Sequence, residues 1–388
     1  MINESNICLN HNYPVKVQVL FCHALGMSGN KSNERITYGN YLQLENLLSL
    51  QEGPSNYFPA PCNDEKHFII VHQAFELWFK LILSELKCAH KMLNNDNIDE
   101  DKMPKLVHHL KRVTAIFDLM SSQWKVMETL SPQDFLSFRD RLGTSSGFES
   151  WQLRQIEIIL GLEEQQRAAG MDPLTHMKKL SKEGKISSNV LADFEEIIGM
   201  PSLNQLLQQW LSRTPINGSL STDNDDNKVV SEFVISHLNA MKQHGHSIVK
   251  HFSEIGHSDA QSVQKRIDSS IQQASDFLMP DGEINRSRAG LLFIESYRDL
   301  PLLSWPRVLI DSFVELEESL LLFRNSHARM VERMIGRRMG TGGSSGVDYL
   351  DATLKYRIFV DLWTVRTILV KKNMLPDVGK KEFYGFNS

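Results

Sequence analysis

The stretch His327–Gly346, HARMVERMIGRRMGTGGSSG, joins a histidine-bearing helix to a glycine-rich loop without a break. On a helix, His327 shares one face with Met330, Val331 and Met334, which lie at i+3, i+4 and i+7. The imidazole therefore points wherever this apolar face points. A buried histidine needs a partner, which is either a hydrogen-bond acceptor of the protein or a metal ion. The sequence leaves both alternatives open.

The second half of this stretch is almost free of side-chain bulk. Gly336 is predicted to end the helix, and residues 340–346 (GTGGSSG) form a loop of small residues. Such a loop lets backbone amides and hydroxyls approach a ligand closely. A phosphate-binding P-loop would need a lysine and a preceding strand, and this stretch has neither. A flexible helix cap is the alternative, but one glycine would suffice for it, so the run favours a binding loop.

The composition indicates a globular protein with at least one large core. The chain has 388 residues, of which 41% are hydrophobic and 23% are charged. Its formal net charge of -5, without any long basic run, gives no electrostatic reason to expect nucleic acid or an anionic membrane as a partner. We therefore expect neither of these partners.

Cysteine usage and the N-terminal residues indicate a cytoplasmic protein. The four cysteines, at positions 8, 22, 62 and 88, show no Cys-x-x-Cys spacing, so they predict neither a disulfide framework nor a zinc site. The apolar run Val17–Met27 is interrupted by His23 and lacks the basic n-region of a signal peptide. No membrane span is predicted.

Hydrophobic periodicity predicts an all-α fold, a helical bundle. Strand-type alternation is scarce, and the predicted helices cover residues 38–51, 64–95, 101–128, 132–143, 147–168, 188–212, 228–257, 259–278, 285–297, 305–339 and 348–372. We expect a single helical domain over residues 34–375, with an irregular N-terminal arm (1–33), a flexible, polar loop (214–228) and a frayed C-terminal tail (376–388).

Two further side chains with ligand-binding chemistry fall on apolar helix faces. His72 lies among aromatic residues, on one face with Phe68 and Phe75, where it is either a satisfied core histidine or part of a site. Arg139 comes four residues after Phe135 on a helix that Ser131 is predicted to cap. An arginine on an apolar face needs an anion, which is either an internal carboxylate or the carboxylate of a ligand.

Four separated motifs together resemble the tryptophan 2,3-dioxygenase family. They are YGNYLQL from Tyr38, FIIVHQAFELWFK from Phe68, DFLSFRDRL with SSGF from Asp134, and HARMVERMIG with GTGGSSG from His327. Their order and spacing also match the family. The resemblance covers Tyr38 to about Leu160 and Leu303 to about Val370 and is weak between these parts.

The resemblance implies a homotetrameric, all-helical enzyme with one haem b per subunit. It would insert both atoms of O₂ across the indole C2–C3 bond of L-tryptophan, which gives N-formyl-L-kynurenine, the first step of tryptophan catabolism by the kynurenine pathway. His327 would be the axial ligand of the haem iron, and Ser146 and Gly147 would contact the haem. A histidine on an apolar face suits this role, because the other axial position stays open for O₂.

The remaining roles implied by the resemblance concern the substrate. His72 would be the catalytic residue near the indole nitrogen, and Arg139 would bind the carboxylate of tryptophan, for which its two-pronged guanidinium is well shaped. The ammonium group would meet Thr341. The other residues implied to line the substrate pocket are Phe68, Ile69, Ile70, Val71 and Phe135, with Tyr38 and Tyr41 contributed by a neighbouring subunit.

The chain departs from the family pattern at two places. Phe323 stands where the family usually has a tryptophan, four residues before the ligand, and Val347-Asp348 replaces a usual Tyr-His pair after the loop. Two other functions therefore stay open at the level of sequence. One is a haem mono-oxygenase that hydroxylates a tryptophan derivative, and the other is a haem or amino-acid sensor without turnover.

Overall fold

The computed structural model describes residues 36–54, 57–95, 98, 100–143, 145–170, 172–254, 260–340 and 346–385. The chain divides into two compact units, Met1–Ala60 and Pro61–Ser388. The predicted all-α class is confirmed, because the described residues form α- and 3-10 helices and no β-strand. In chain order the α-helices are α1 (Tyr38–Leu42), α2 (Leu44–Leu48), α3 (Asn63–Leu93), α4 (Met103–Met127), α5 (Pro132–Arg139), α6 (Trp151–Leu160), α7 (Pro173–Lys182), α8 (Ser188–Ile198), α9 (Leu203–Ser212), α10 (Asp226–Glu254), α11 (Ala260–Leu278), α12 (Arg286–Ser296), α13 (Ser304–Ile335), α14 (Gly346–Thr353) and α15 (Val360–Thr367).

The first unit contributes the short helices α1 and α2. Thr37 caps α1, since its hydroxyl accepts from the Asn40 amide at 3.3 Å while the Asn40 side chain accepts from the Thr37 amide at 2.7 Å. Gln43 lies between the two helices with a φ of 52°, which turns the chain. Neither helix has a buried residue. The expectation of one domain over residues 34–375 stays a prediction.

The second unit is organised around α4, which packs against α3 and α13. Residues on α4 are buried at alternating intervals of four and three, so a single stripe faces the core. These residues are Leu106, Leu110, Val113, Phe117, Met120 and Trp124. The long helices that carry His72 and His327 are thus held against the same central helix. None of the helices in the described ranges is long and apolar enough to cross a bilayer.

Helix boundaries agree with the predicted signals where those signals are strong. The Ser131 hydroxyl accepts from the Asp134 amide at 3.1 Å, and Pro132 occupies the first position of α5, as predicted. α13 ends at Ile335, and Gly336 comes next with a φ of 59°, a conformation that favours glycine. The aspartate before α7 gives the same kind of signal, since Asp172 precedes Pro173 and accepts from two backbone amides. This helix is absent from those predicted from the sequence.

Two predicted helices are each divided in the structure. Residues 188–212 form α8 and α9, because Pro201 cannot continue a helix and Ser202 caps the next one. Residues 348–372 form α14 and α15, separated near Ile358. There the amides of Ile358 and Phe359 donate to the buried carboxylate of Glu317 on α13 instead of to helix carbonyls. A tertiary contact therefore overrides the helical periodicity.

The two segments expected to be flexible make defined contacts. Within 214–228, the carboxylate of Asp226 is buried and accepts from Arg286 Nε at 2.8 Å. In the tail (376–388), Tyr384 is only 1% exposed, and its hydroxyl donates to a backbone carbonyl of the 214–228 segment at 2.9 Å. The polar groups of these segments make specific hydrogen bonds, and the expectation of a flexible loop and a frayed tail stays a prediction.

The close packing of α9 on α12 allows a test of the fold. A Cβ at Gly290 would lie 2.3 Å from the carbonyl oxygen of Leu211, so Gly290→Ala forces the helices apart. We expect the free energy of unfolding to fall by about 1–3 kcal/mol, despite the higher helix propensity of alanine. Gly199→Ala is the control, since its nearest neighbours are 3.4 and 3.6 Å away. Equal urea midpoints for both variants would contradict this packing.

Candidate active site

His327 lies on α13 against an aromatic wall supplied mainly by α4. Its ring stacks on Trp124 with a centroid distance of 4.6 Å and an interplanar angle of 7°, and the ring of Phe323 is 6.4 Å away. Within the described part of the chain, the imidazole has no hydrogen-bond partner. The first alternative considered for this histidine, a protein acceptor, is therefore not found among these residues.

The environment of His327 keeps its imidazole neutral. Burial lowers its pKa from 6.5 to about 3, with smaller contributions from His72 and from the positive charge of Arg154. A neutral imidazole with a free lone pair is the form that binds a metal ion. The chemistry of the site therefore matches an axial ligand.

His72 lies on α3, and a hydrogen bond within its own helix orients its ring. Nδ1 is 2.8 Å from the carbonyl oxygen of Phe68, and because a carbonyl only accepts, Nδ1 carries the proton. Burial lowers the pKa of His72, which favours the neutral ring. In this tautomer Nε2 is an acceptor that can meet an N–H group of a ligand.

The two histidines share Trp124 as a neighbour. Its ring lies 6.4 Å from that of His72 and 4.6 Å from that of His327. Burial lowers the pKa of both imidazoles. The surroundings of Trp124 therefore hold one neutral imidazole that can bind a metal ion and a second that can accept a hydrogen bond.

Phenylalanine side chains from α3 and α5 meet next to His72. The Phe68 ring is 4.1 Å from the ring of His72, 5.7 Å from that of Phe135 and 5.8 Å from that of Phe138. Aromatic rings at these distances form a continuous apolar surface, which suits an aromatic ligand such as indole. The structure thus brings Phe68, His72 and Phe135 together.

Arg139 is the last residue of α5 and is half-buried. Its Nη2 donates to the carbonyl oxygen of Met339, in the segment that leads from α13 into the glycine loop. In the described ranges no carboxylate lies within ion-pair distance of Arg139, so the internal salt bridge considered from the sequence is not found there. A guanidinium bound only to a neutral carbonyl remains able to bind an anion.

Comparison with known proteins identifies the family. The model of the tryptophan 2,3-dioxygenase family matches residues 25–369. A tryptophan 2,3-dioxygenase 2 from Ralstonia nicotianae is 39% identical over 90% of this chain and 98% of its own length. Tryptophan 2,3-dioxygenases from Sorangium cellulosum and Alteromonas mediterranea are 40% and 34% identical, each over 90% of this chain and over 87% and 96% of their own lengths. The chain belongs to the tryptophan 2,3-dioxygenase family.

The other residues that the family resemblance implies for the substrate pocket differ in how far they are buried. Val71 is buried, and Ile69 is half-buried. Ile70 is 51% exposed, so within one chain it lies on an exposed face of α3. Thr341 lies outside the described residues, so its expected role stays a prediction.

Ser146 and Gly147 form a turn before α6. The Ser146 hydroxyl accepts from the Phe148 amide at 3.3 Å, and a Cβ added at Gly147 would meet nothing within 4 Å. This open space is compatible with the edge of a bound cofactor. Tyr38 and Tyr41 belong to the first unit, where they are 76% and 74% exposed.

The residues at the two departures from the family pattern are packed or paired in the structure. Phe323 is buried, and its ring lies 5.8 Å from that of Trp124 and 6.0 Å from that of Phe79. Val347 is fully buried, and Asp348 pairs with Arg337 at 2.6 Å. Trp124 was not among the residues predicted for the site, although its place on the buried stripe of α4 was the available signal.

The lowered pKa of His327 predicts a pH dependence of the cofactor-free protein. Between pH 6.5 and about 3 the unfolded chain protonates this imidazole and the folded chain does not, so stability falls as the pH falls through this window. We expect wild type to lose about 1.4 kcal/mol per pH unit more than His327→Gln between pH 6 and 4. Urea denaturation at several pH values measures the difference, and equal slopes would contradict it.

Proposed function

We propose that this protein is a tryptophan 2,3-dioxygenase, which inserts both atoms of O₂ across the C2–C3 bond of the indole ring of L-tryptophan to give N-formyl-L-kynurenine. Membership of the family, together with curated relatives that bear this name over nearly the whole chain, supports the reaction. The observation that carries the proposal is the neutral imidazole of His327, which stacks on Trp124 and has no hydrogen-bond partner among the described residues. The reaction would start tryptophan catabolism.

We further propose haem b as the cofactor, one per subunit, with His327 as the axial ligand of its iron. A single protein ligand suits a metal held in a macrocycle, because the ring nitrogens supply the remaining donors. The aromatic and apolar walls around His327 suit a flat apolar group, and the free lone pair suits the iron. When bound, the haem would supply the iron that binds and activates O₂.

The protein side chains would bind and orient the substrate. Nε2 of His72 would accept the indole N–H, since Nδ1 already donates to Phe68. The rings of Phe68 and Phe135 would pack on the indole and exclude water. Arg139 would exchange the neutral carbonyl of Met339 for the substrate carboxylate, which gives a stronger, charge-assisted pair. Each of these contacts fixes the indole relative to His327.

We also propose a homotetramer in which Tyr38 and Tyr41 complete a neighbouring subunit's pocket. Both side chains are exposed in the first unit. On α3, Ile70, Leu77 and Leu81 lie on one face and are 51%, 52% and 37% exposed, an apolar surface that a second copy would cover. A monomer in light scattering would contradict this.

The free, exposed Cys62 and Cys88 support a reducing, cytoplasmic location.

Oxygen incorporation tests the proposed reaction. The full-length protein, loaded with haem and reduced anaerobically, receives L-tryptophan and then ¹⁸O₂, and the product mass is measured. We expect both labelled atoms in one product, and His327→Ala is expected to lose haem or turnover because its axial ligand is gone. Incorporation of one labelled atom would indicate a mono-oxygenase, and ligand binding without oxygen consumption would indicate a sensor.

The proposed role of Arg139 predicts a specific change in substrate preference. Tryptamine lacks the carboxylate, so wild type should have a lower kcat/KM for tryptamine than for tryptophan. We expect the difference to correspond to about 2–5 kcal/mol in transition-state free energy. In Arg139→Leu, kcat/KM for tryptophan should fall towards the value for tryptamine, while kcat/KM for tryptamine should change little. Steady-state kinetics with both substrates separates the energetic coupling between Arg139 and the carboxylate from general damage to the fold.

Arg141→Leu is the matched control for this measurement. Arg141 lies two residues away and pairs with Glu65 at 2.9 Å, so its loss should affect both substrates in equal proportion. If Arg139→Leu also lowered kcat/KM for both substrates in equal proportion, Arg139 would have a structural role, and the carboxylate-binding group would lie elsewhere.

A further inference from the structure

A hydrogen-bonded contact joins α6 to α3 close to His72. The side-chain amide of Gln152 on α6 donates to the backbone carbonyl and to the carboxylate of Glu76, and both N···O distances are 2.8 Å. Glu76 follows His72 by four residues on α3, so the contact lies about one helical turn from the imidazole. The contact thus holds α6 against the part of α3 that carries His72.

A buried ion pair joins α6 to α13 close to His327. Glu157 Oε1 on α6 lies 2.8 Å from Nη2 of Arg324, and the two side chains are 1% and 8% exposed. The guanidinium of Arg324 also lies over the ring of Tyr356, with its Cζ 4.6 Å from the ring centroid. Arg324 precedes His327 by three residues, and residues three apart are neighbours on a helix. The ion pair thus holds α6 against the part of α13 that carries His327.

The two contacts leave α6 in different directions. Gln152 and Glu157 are five residues apart. On a helix this spacing corresponds to a rotation of about 140° and a rise of about 7.5 Å. α6 therefore connects α3 on one side with α13 on another. This polar connection between the two histidine-bearing helices is additional to their apolar packing on α4.

The contacts of α6 restrict position more closely than the packing on α4 does. Apolar side chains tolerate small shifts, whereas a hydrogen bond weakens steeply outside a narrow range of distance and angle. A shift that unpaired the buried carboxylate of Glu157 would be costly. Arg154 and Arg167 hold its other oxygen at 3.0 and 2.7 Å, so the carboxylate is itself fixed within α6 and the segment that follows. α6 therefore provides a common reference for both helices.

We propose that Gln152, Glu157 and Arg324 are positioning residues, which set the separation of His72 from His327 through α6. This rests on the proposed function, in which His327 binds the iron and Nε2 of His72 accepts the indole N–H. One substrate molecule must meet both conditions, so the two imidazoles have to be held at a fixed separation. A change in this separation would weaken the hydrogen bond from the indole N–H, because hydrogen bonds are short and directional.

The preference for L-tryptophan over L-benzothienylalanine tests this proposal. In the analogue a sulfur atom replaces the indole N–H, so it cannot donate the hydrogen bond to His72. The full-length, haem-loaded protein is titrated with each compound in the absence of O₂, and the two Kd values are measured from absorbance. We expect wild type to prefer tryptophan by about fivefold, the effect of one hydrogen bond.

Gln152→Met and Arg324→Met each remove one contact of α6 with little change in side-chain size. In Arg324→Met the carboxylate of Glu157 keeps two arginine partners, so it is not left unpaired. We expect the preference for tryptophan to fall to about twofold or less in each variant. The double variant should have the same preference as each single variant, because the loss of either contact already releases one helix. The losses in free energy of unfolding, measured in urea, should instead add.

Arg167→Met is the matched control. Arg167 also binds Glu157, with Nη1 2.7 Å from the carboxylate, and its other amino group donates to the carbonyl of Leu162 at 3.3 Å. These hydrogen bonds lie within α6 and the segment that follows it. The loss of Arg167 should therefore lower stability and leave the ratio of the two Kd values unchanged. A partial loss of folded protein, checked by circular dichroism, affects both titrations alike and does not change this ratio.

The outcomes separate this inference from the proposed function. If wild type bound neither compound, or bound both with equal affinity, the proposed function or its hydrogen bond to His72 would be wrong, and this inference with it. If wild type preferred tryptophan and both Gln152→Met and Arg324→Met kept that preference, only this inference would be wrong. The same holds if Arg167→Met lost the preference equally, or if the two losses added in the double variant. The contacts of α6 would then be structural only.

Discussion

The stacking of Trp124 on His327 is the contact on which the site depends. A buried imidazole normally takes a hydrogen bond at each nitrogen, and His327 has none among the described residues. Its orientation is fixed instead by a ring face at 4.6 Å and by Phe323 one turn earlier on the same helix. Aromatic packing orients the ring and leaves its nitrogens free, whereas a carboxylate partner would have occupied one of them.

This contact requires α4 to lie between the helices of the two histidines. The buried stripe of α4 alternates between intervals of four and three residues, which keeps it in contact with both α3 and α13 along its length. Trp124 lies near the end of that stripe, so it reaches His72 and His327 together. The hydrophobic core and the candidate site are therefore built from the same surface.

Features that depend on the pattern of a single helix could be predicted from the sequence. The apolar face of His327, the end of α13 at Gly336 and the cap at Ser131 are local features, and the structure has each of them. Contacts between distant segments could not be predicted in this way. Nothing local indicates that Glu317 would take the amides near residue 358 and end a helix there, or that Arg324 would reach Glu157. For the same reason the acceptor of Arg139 could not be predicted.

Buried polar contacts fix the rotation and register of α13. Glu317, Arg324 and His327 succeed one another at intervals of seven and three residues, so they lie on related faces of this helix. Glu317 accepts from the chain before α15, Arg324 pairs with Glu157, and His327 stacks on Trp124. A slip of α13 by one residue would rotate all three side chains by about 100° and leave two buried charges without partners. Apolar packing alone would tolerate such a slip far better, since leucine and phenylalanine have no directional requirement. The buried charges thus set the position in which His327 stacks on Trp124.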